Sequence, residues 1–400
     1  MHRKKLLQSQ RGGFAMALMV VVLIALLITG VGLLSLGMHR RSFGVKTCSG
    51  IAARSAADAG LTKALVEMNE KLKTKPWDDS NMPYAINEPL PDSDAVFSYK
   101  VIGDRYAGYT IVSVGKYGEV VKQVSCDLAL EGPFDTAIYG NDLISLKTGT
   151  TIDGYNYTKP NECLKIGTNS ILPCRIIARS GVSIFGDVFC GPGGDPDVVI
   201  DTRSEARITG VTYALDEAFE IPPVIVPQYL QNLTSVGNIT ENTTLSSPTR
   251  CEEINLQGGT LTINGPVDLY CNGNFTLDTF SHLEIDDSNI NPDAYLNLYV
   301  NGYFMAKYSS SVNNAAKDPR KLKIYGLDSC TSFQFLIDNV FYGAIYAPNA
   351  EVALQYSVEV FGAIIGRQLT QQVSADFHYD ASLKQGCVSD EMVTLSLIHI

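Results

Sequence analysis

Hydrophobic positions along this chain change their period twice, and each regime predicts a different element. From Phe14 to Met38 no side chain is charged. A run of about 25 residues, at ~1.5 Å per residue, is long enough as a helix to cross a hydrocarbon core of ~30 Å. Ala57, Leu61, Leu65, Met68 and Leu72 then recur at three- and four-residue steps, the stripe of a helix that leaves the apolar run without a break, giving a helix over 14–73. Pro76, Pro83, Pro89 and Pro91, set among Asp and Asn, interrupt the pattern and predict a linker over 74–94. Beyond it the period becomes two. Phe97, Tyr99 and Val101, then Thr110, Val112 and Val114, then Val124, Cys126, Leu128 and Leu130 alternate with polar neighbours. Turns at Gly103-Asp104 and Lys116-Tyr117-Gly118 make this a small antiparallel meander over 95–131.

The stretch 134–388 repeats itself. Gly343-Ala344-Ile345-Tyr346 returns 19 residues on as Gly362-Ala363-Ile364-Ile365, and Leu269-Tyr270-Cys271-Asn272-Gly273-Asn274-Phe275 returns 29 residues on as Leu298-Tyr299-Val300-Asn301-Gly302-Tyr303-Phe304. Short strands, turn residues at corners and a period near 20 residues with loops inserted predict a right-handed parallel β-helix, each coil restacking a strand ~4.8 Å above the last. Gly154, Gly167, Gly181, Gly186, Gly210, Asn264-Gly265, Asn272-Gly273 and Asn301-Gly302 are the expected corners, where left-handed backbone is needed. The fold class is mainly β behind a transmembrane helix.

Charge and composition narrow the function. With 31 Lys and Arg against 42 Asp and Glu, the net charge is −11, which argues against nucleic acid or an anionic lipid surface as the main partner. Five histidines and one tryptophan leave little for imidazole chemistry, and no cofactor or metal is expected. Arg3, Lys4, Lys5 and Arg11 before the apolar run nearly balance Arg40, Arg41 and Lys46 after it, so the positive-inside rule does not orient the span.

Arg11-Gly12-Gly13-Phe14 supplies the orientation instead. A basic leader ending in Gly before Phe and a long apolar helix resembles the class III leader of type IV pilins and pseudopilins. The resemblance implies cleavage between Gly13 and Phe14 by a prepilin peptidase, with leader 1–13 inside the cell and the residues after 38 outside. Ser55-Ala56-Ala57-Asp58-Ala59-Gly60-Leu61 resembles the Ala-rich stretch of PilX-like N-terminal regions. Leu18 stands where pilins usually carry Glu, so the resemblance is to minor or tip-type members, and whether the chain polymerises is left open. An ordinary signal-anchor helix is the alternative.

A second resemblance covers most of the remainder. Gly191-Pro192-Gly193-Gly194-Asp195-Pro196-Asp197, Ile208-Thr209-Gly210, Ile221-Pro222-Pro223, Asn301-Gly302, the stretch from Tyr342 to Ala350, and Phe377-His378-Tyr379-Asp380 are similar, in that order, to the uncharacterised domain that follows PilX-like regions in many bacterial surface proteins. Its members repeat Ser-Gly-Asn-Ala at coil corners, and Tyr308-Ser309-Ser310-Ser311 stands in one such place.

Nine cysteines, none in Cys-x-x-Cys or zinc-site spacing, fit an oxidising compartment. Cys126, Cys163, Cys174, Cys190, Cys251, Cys271, Cys330 and Cys387 are the candidate disulfide cysteines. Cys163 with Cys174, and Cys251 with Cys271, are near enough in sequence for bridges within a loop or between neighbouring coils, though eight cysteines allow 105 connectivities. Buried free thiols are the alternative. Cys48, on the helix near the bilayer, is the odd one.

Catalytic signals are thin. In an extended strand Asp376, His378 and Asp380 share one face, which suits acid–base or metal chemistry; at the last coil they are better placed to hydrogen-bond an open end. Asp195 and Asp197 match no calcium loop and predict a turn. Leu395-Ser396-Leu397-Ile398-His399-Ile400 resembles a translated sequencing-adaptor end, so the tail 389–400 is set aside. The expected protein is a non-catalytic, membrane-anchored, pilin-like envelope protein displaying its β-helix outside the bacterial inner membrane, periplasmic or at the cell surface, in a structural or adhesive role. Its expected partners are the inner membrane, a prepilin peptidase, other pilin-like subunits and a surface polysaccharide. The alternatives are a membrane-anchored β-helical polysaccharide lyase or hydrolase, which needs carboxylates two residues apart on stacked strands with basic partners, and a carbohydrate-binding adhesin using Tyr and Asn exposed on the coils. The sequence shows no such carboxylate stack.

Overall fold

The computed structural model describes residues 10–72, 80–104, 108–156, 164–286, 293–383 and 394–399, with side chains omitted for 10–17, 72, 129–131 and 394–399. The chain divides into two compact units: Met1–Thr74 with Asp78–Ala129 and Leu395–Ile400, and Lys75–Trp77 with Leu130–Thr394.

In the first unit, α1 (Gln10–Leu72) is one unbroken helix. Among the described residues it is the one helix long and apolar enough to cross a membrane, and every side chain from Leu18 to Met38 is exposed. Its later part packs on a sheet. Strands β1 (Tyr84–Pro89), β2 (Val96–Asp104), β3 (Gly108–Tyr117) and β4 (Val120–Glu131) lie antiparallel in that order, and Ala53, Ala56, Ala57, Leu61, Ala64 and Met68 are buried against β2 and β3. The Tyr99 hydroxyl donates to Glu67 at 2.6 Å, and burial together with that carboxylate pushes the phenol pKa far up. Lys63 pairs with Glu88 at the edge of the same sheet.

The expected helix stripe holds at Ala57, Leu61 and Met68 and changes at one site, while the expected face of β3 is rotated by one position. The helix buries Ala64 and leaves Leu65 half-buried, and β3 buries Tyr109, Ile111, Ser113 and Gly115 while Thr110, Val112 and Val114 take the other side. The reason is space. A Cβ on Gly115 would sit 2.0 Å from the Ala53 carbonyl oxygen, and one on Gly60 2.4 Å from Ser113 Oγ. Small residues let helix and strand approach, and in close packing that outweighs the larger apolar surface of Leu65 or Val112. The predicted linker over 74–94 also contains β1, an edge strand that tolerates its terminal Pro89, since on an edge strand outer amides have no ladder to join. The tail segment set aside above forms most of an outer strand, Thr394–His399, beside β4; an open sheet edge pairs with an extended segment within reach.

The second unit repeats in threes. After the turn Pro133–Asp135, β5 (Ile138–Leu146) and β6 (Thr151–Tyr155) make one circuit. β7 (Leu164–Gly167), β8 (Ile176–Ala178) and β9 (Ser183–Ile184) make the next, β10 (Gly186–Cys190), β11 (Ile200–Thr202) and β12 (Arg207–Ile208) a third, and β13 (Thr212–Ala214) begins another. A second series starts with β14 (Thr243–Leu245), β15 (Thr249–Cys251) and β16 (Ile254–Leu256). It continues through β17 (Thr260–Ile263), β18 (Pro266–Cys271) and β19 (Phe275–Leu277), then β20 (His282–Ile285), β21 (Tyr295–Val300) and β22 (Phe304–Ala306), then β23 (Ser311–Val312), β24 (Leu322–Gly326) and β25 (Ser332–Phe335). β26 (Val340–Leu354) and β27 (Glu359–Gln371) each run round all three sides, and β28 (Asp376–Asp380) closes the series. Strands pair in parallel with their counterparts one circuit away. The sequence repeats are these pairings: Gly343 lies opposite Gly362 and Ile345 opposite Ile364, Leu269 opposite Leu298 and Phe275 opposite Phe304. Alternate residues point inward, and Phe275, Phe304 and Phe333 stack inside with ring centroids 5.1 and 5.4 Å apart.

The two series join in an order that no pattern along the chain indicates. β27 and β28 pair with β5 and β6, Ile364 opposite Ile138 and Phe377 opposite Ile152. The chain therefore enters the stack at mid-height and winds outward to β13. It then crosses to the far end over 215–242 and winds back from β14 until β28 meets β6. Start and finish adjoin: the Tyr379 hydroxyl donates to the Phe134 carbonyl at 2.8 Å, and the Ala381 amide to the Tyr155 carbonyl at 3.3 Å.

The crossing segment straps one side of the stack, lying over an outward row whose neighbours in register are Arg250, Tyr270, Tyr299, Tyr325, Tyr346, Ile365 and Tyr139. Asn169 exchanges two 2.8 Å hydrogen bonds with the Phe219 backbone, and Phe219 stacks on Tyr139 with centroids 4.7 Å apart. The Tyr346 hydroxyl donates to the Pro222 carbonyl at 2.7 Å, and Arg250 to the Gln231 carbonyl at 2.9 Å. Beneath this strap Tyr139 and Tyr346 are fully buried and Tyr325 nearly so, so these coil tyrosines form a second core, while Tyr229, Tyr295, Tyr303, Tyr308 and Tyr356 stay exposed.

The corners differ from expectation. Gly258, Phe280, Ser309, Asp338, Ser357, Ser374, Gly149, Gly181 and Glu205 occupy one corner of successive circuits with φ between +51° and +74°. Of the expected corner residues only Gly181 and Gly265 have positive φ. Non-glycine residues hold this geometry because buried side chains just after them close the turn: Ser281 Oγ donates to the Leu256 carbonyl at 2.9 Å, Ser310 Oγ to the Asp278 carbonyl at 3.0 Å, and Asn339 Nδ2 to the Lys307 carbonyl at 3.0 Å. These bonds reach the neighbouring circuit, 25 to 32 positions away, and such tertiary anchoring offsets the cost of the left-handed conformation. Tyr308-Ser309-Ser310-Ser311 does stand at this corner.

Candidate functional site

The densest polar cluster lies where β28 is sandwiched between β27 and β6. Strand alternation puts Asp376, His378 and Asp380 on one face, and register sets Glu359 opposite Asp376 and Asp153 opposite His378. His378 Nδ1 is 2.5 Å from Asp153 Oδ1 and its Nε2 is 3.7 Å from Glu359 Oε1. The imidazole ring stacks on Phe361 at 4.6 Å, and Phe361 on Tyr342 at 4.4 Å, with Tyr155 edge-on to Phe361 at 5.1 Å. Asp376 Oδ1 accepts the Thr151 amide at 2.9 Å. Asp380, fully buried, accepts the Ser382 amide at 2.8 Å and Asn156 Nδ2 at 3.2 Å.

Two expectations change here. Asp376, His378 and Asp380 do not bond an open end, because β6 covers it; they bridge two strands more than 200 positions apart in the chain. The carboxylate stack absent from the sequence exists in space, since Asp153 and Glu359 flank His378. Beside it Asp376 and Asp380 accept from main-chain and amide donors, and Phe361 is stacked between Tyr342 and His378. A carboxylate bonded to backbone amides across a strand junction fastens that junction.

Other candidate residues are scattered. Gly13 and Phe14 lie within α1, their side chains outside the described residues, as is leader 1–9. Cys163 and Cys387 also fall outside the described residues. Cys48, Cys126, Cys174, Cys190, Cys251, Cys271 and Cys330 are free thiols, so no bridge is formed among the described cysteines. Burial pushes the Cys330 thiol up to about 12 and raises Cys126 and Cys190. Circuit register separates most of them: Cys190 lies opposite Ala214, while Cys251 lies opposite Cys271. Asp195 caps the single-turn helix Pro196–Val199 by accepting the Asp197 amide at 3.1 Å, as its turn-forming neighbours predict. Among the described residues no group of His, Cys, Asp or Glu is placed to hold a metal ion.

A second cluster was missed. Ser311 Oγ donates to Glu284 Oε1 at 2.8 Å and lies 2.8 Å from His282 Nδ1, while Glu284 Oε2 accepts the Ala315 amide at 2.8 Å. The Ser311 hydroxyl is thus shared between a carboxylate that accepts its proton and the imidazole beside it. The 29-residue repeat, extended one strand further, is the signal that pairs 282 with 311. A surface feature also emerges at the left-handed corner, where Phe280, Tyr308, Tyr356 and Val373 are 65, 50, 52 and 41% exposed on nearby circuits, with half-buried Ile337 between them.

A family model described as "Domain of unknown function (DUF7305)" matches residues 227–386, from the strap to just past β28. Among solved structures the chain is similar to the competence-associated pilin ComZ from Thermus thermophilus, at 13% identity over 88% of this chain and 98% of that one, with a TM-score of 0.25. Comparison with curated proteins gives no match.

Proposed function

We propose that this chain is a membrane-anchored, pilin-like envelope protein that carries a right-handed, three-sided β-helix outside the inner membrane, in the periplasm or at the cell surface, and works as a structural or adhesive element of a type IV pilus or secretion-like system. The observation that carries the reading is α1, whose first part exposes an uninterrupted apolar surface and whose second part seats small residues against an antiparallel sheet. An exposed apolar helix of that length is stable in lipid and not in water. The Arg11-Gly12-Gly13-Phe14 leader supports the orientation and names the partner that processes it, a prepilin peptidase; other pilin-like subunits follow as neighbours. Leu18 in place of Glu favours a minor or tip position. Co-expression with a prepilin peptidase is expected to yield a mature N-terminal Phe14. An intact leader, or cleavage after Met38, refutes the pilin reading.

The corner ridge favours an adhesive role. Phe280, Tyr308, Tyr356 and Val373 form an exposed apolar line on circuits ~4.8 Å apart, which suits the apolar faces of an extended surface polysaccharide. Glycan-array binding by the full-length protein, lost in a Tyr308→Ser/Tyr356→Ser variant that keeps its fold, is the expected result; equal binding by both excludes the ridge. The lyase or hydrolase alternative draws on the Asp153, Glu359 and Asp376 cluster, and depolymerisation of a polysaccharide panel abolished by Asp376→Ala would support it.

A further inference from the structure

The circuit β14 to β16 lies at one end of the stack. Its inner neighbour is the circuit β17 to β19. On its outer side, among the described residues, the incoming segment reaches it: the Val236 amide donates to the Arg250 carbonyl at 2.9 Å, the Glu252 amide to the Gly237 carbonyl at 3.0 Å, and Ile239 bridges to Ile254. Cys251 sits in this circuit and Cys271 in the next, in register and both fully buried. Cys271 has Val300 on its other side, so each of the two has one cysteine neighbour in the stack, namely the other.

We propose that Cys251 and Cys271 form a disulfide that clamps the terminal circuit to its neighbour. Parallel strands hold in-register Cα atoms ~4.8 Å apart, inside the ~4.4–6.8 Å that a disulfide spans. The Cβ atoms must close to ~3.8 Å, which asks the end circuit and the short incoming segment bonded to it to shift together, with no full circuit among the described residues stacked beyond them. Register sets the two buried thiols side by side, and their interaction lowers the pKa of Cys271 and pushes that of Cys251 far up. Cys271 is therefore the first to ionise. When the terminal circuit frays, its thiolate attacks a disulfide carried by a thiol oxidoreductase or by glutathione, and one carrier thiolate leaves. Cys251 then loses its proton and attacks the Cys271 sulfur, and the second carrier thiolate leaves. Two cysteine thiols are oxidised and one carrier disulfide is reduced to two thiols, so two electrons and two protons balance.

The supply of such a carrier rests on the reading that this unit lies outside the inner membrane; the geometry does not. Full-length protein extracted in detergent is denatured in iodoacetamide without reductant and digested with trypsin. Because Arg250 and Lys307 are consecutive cleavage sites, both cysteines fall in one peptide, Cys251 to Lys307. It is expected to carry no label, to weigh less than its reduced form by two hydrogens, and to stay linked after cutting at Glu252 or Glu253. Reducing the bond is expected to speed amide exchange in 243–256 by about 100-fold, with β26 and β27 unchanged.

Two further arms separate the clamp from the location. Purified, reduced protein is incubated with glutathione disulfide, and two labels on the peptide there overturn the clamp wherever the protein resides. Exposed Cys174 is probed in spheroplasts with a membrane-impermeant maleimide. Because a bridge to Cys163 would also protect Cys174, the spheroplasts are first treated with a membrane-impermeant reductant; if Cys174 is still protected while glutathione forms the bond, the clamp stands and the outside location fails. If Cys174 is labelled while glutathione leaves both thiols free, the location stands and the clamp fails.

Discussion

Replacing Asp376 by Ala tests whether the mid-height junction is held by its acids or used by them. Asp376 Oδ1 accepts the Thr151 amide at 2.9 Å across 225 positions of sequence. A hydrogen bond to an ionised group contributes roughly 1.5–3 kcal/mol; Asp376 and Thr151 are both half-buried, which favours the middle of that range, about 2 kcal/mol. The rest of the junction remains: β27 stays paired with β5, and Tyr379 still donates to Phe134. The stack should therefore stay folded and open locally. Unfolding of a stacked array need not be two-state, so the appropriate assay is hydrogen exchange on the full-length protein in detergent. About 2 kcal/mol corresponds to a loss of protection of about 30-fold, confined to 151–155 and 376–380, with β17 to β22 unaffected. Asp376→Asn keeps an oxygen acceptor and loses the charge, so about half the effect is expected. Protection of 151–155 that is unchanged in Asp376→Ala, or an equal loss in every circuit, would refute the fastening role.

Three further outcomes follow from the same geometry. Tyr346→Phe keeps the buried ring but deletes the bond to Pro222; at about 1 kcal/mol, exchange in the strap over 219–226 should rise about 5-fold, and no rise there would mean that the strap is held by its apolar contacts alone. Gly115→Ala places a Cβ 2.0 Å from the Ala53 carbonyl oxygen, overpacking worth about 3 kcal/mol, and buried Cys126 on β4 should begin to react with a thiol reagent in the native protein; continued protection contradicts the close approach of helix and sheet. Burial alone would raise the Asp318 carboxyl, but side-chain and backbone bonds from Arg320 outweigh it and hold it below the ordinary 3.8. With the folded value below the unfolded one, the contribution is complete above the unfolded pKa and is lost as pH falls through the folded one. Pepsin cleavage near 313–321 should therefore increase as pH drops below about 3.8, and Asp318→Asn should remove that dependence.

What the sequence by itself determined is what local pattern determines. A charge-free run from Phe14 to Met38 demands a long helix whatever it packs on, because its backbone must bond within itself in lipid. The two repeats are real because stacked circuits put chemically equivalent residues in register: Gly343 with Gly362, Phe275 with Phe304. The antiparallel meander was legible from its period of two, and Phe97, Tyr99 and Val101 point inward as their alternation requires. Close packing was not legible. Which face of β3 turns inward depends on Gly60 and Gly115 meeting partners far along the chain, and a scale of apolarity favours the larger residues that the contact excludes. The corner geometry escaped for a related reason, since Ser281, Ser310 and Asn339 anchor left-handed corners to the neighbouring circuit at positions other than most of the Gly and Asn corners expected.

Only the tertiary structure decided the order of the circuits. Every coil carries the same inward apolar face and the same open strand edges, so any coil is able to stack on any other as far as local pattern is concerned. The choice of β5 and β6 as partners for β27 and β28 rests on contacts such as Asp153 with His378 and Thr151 with Asp376, between residues more than 200 positions apart. Closing a loop of that length costs only slowly growing entropy, so the distant pairing is affordable, and nothing in the neighbourhood of either strand announces it. The same holds for the strap, whose Pro222 and Phe219 read as loop residues until Tyr346 and Tyr139 are found beneath them.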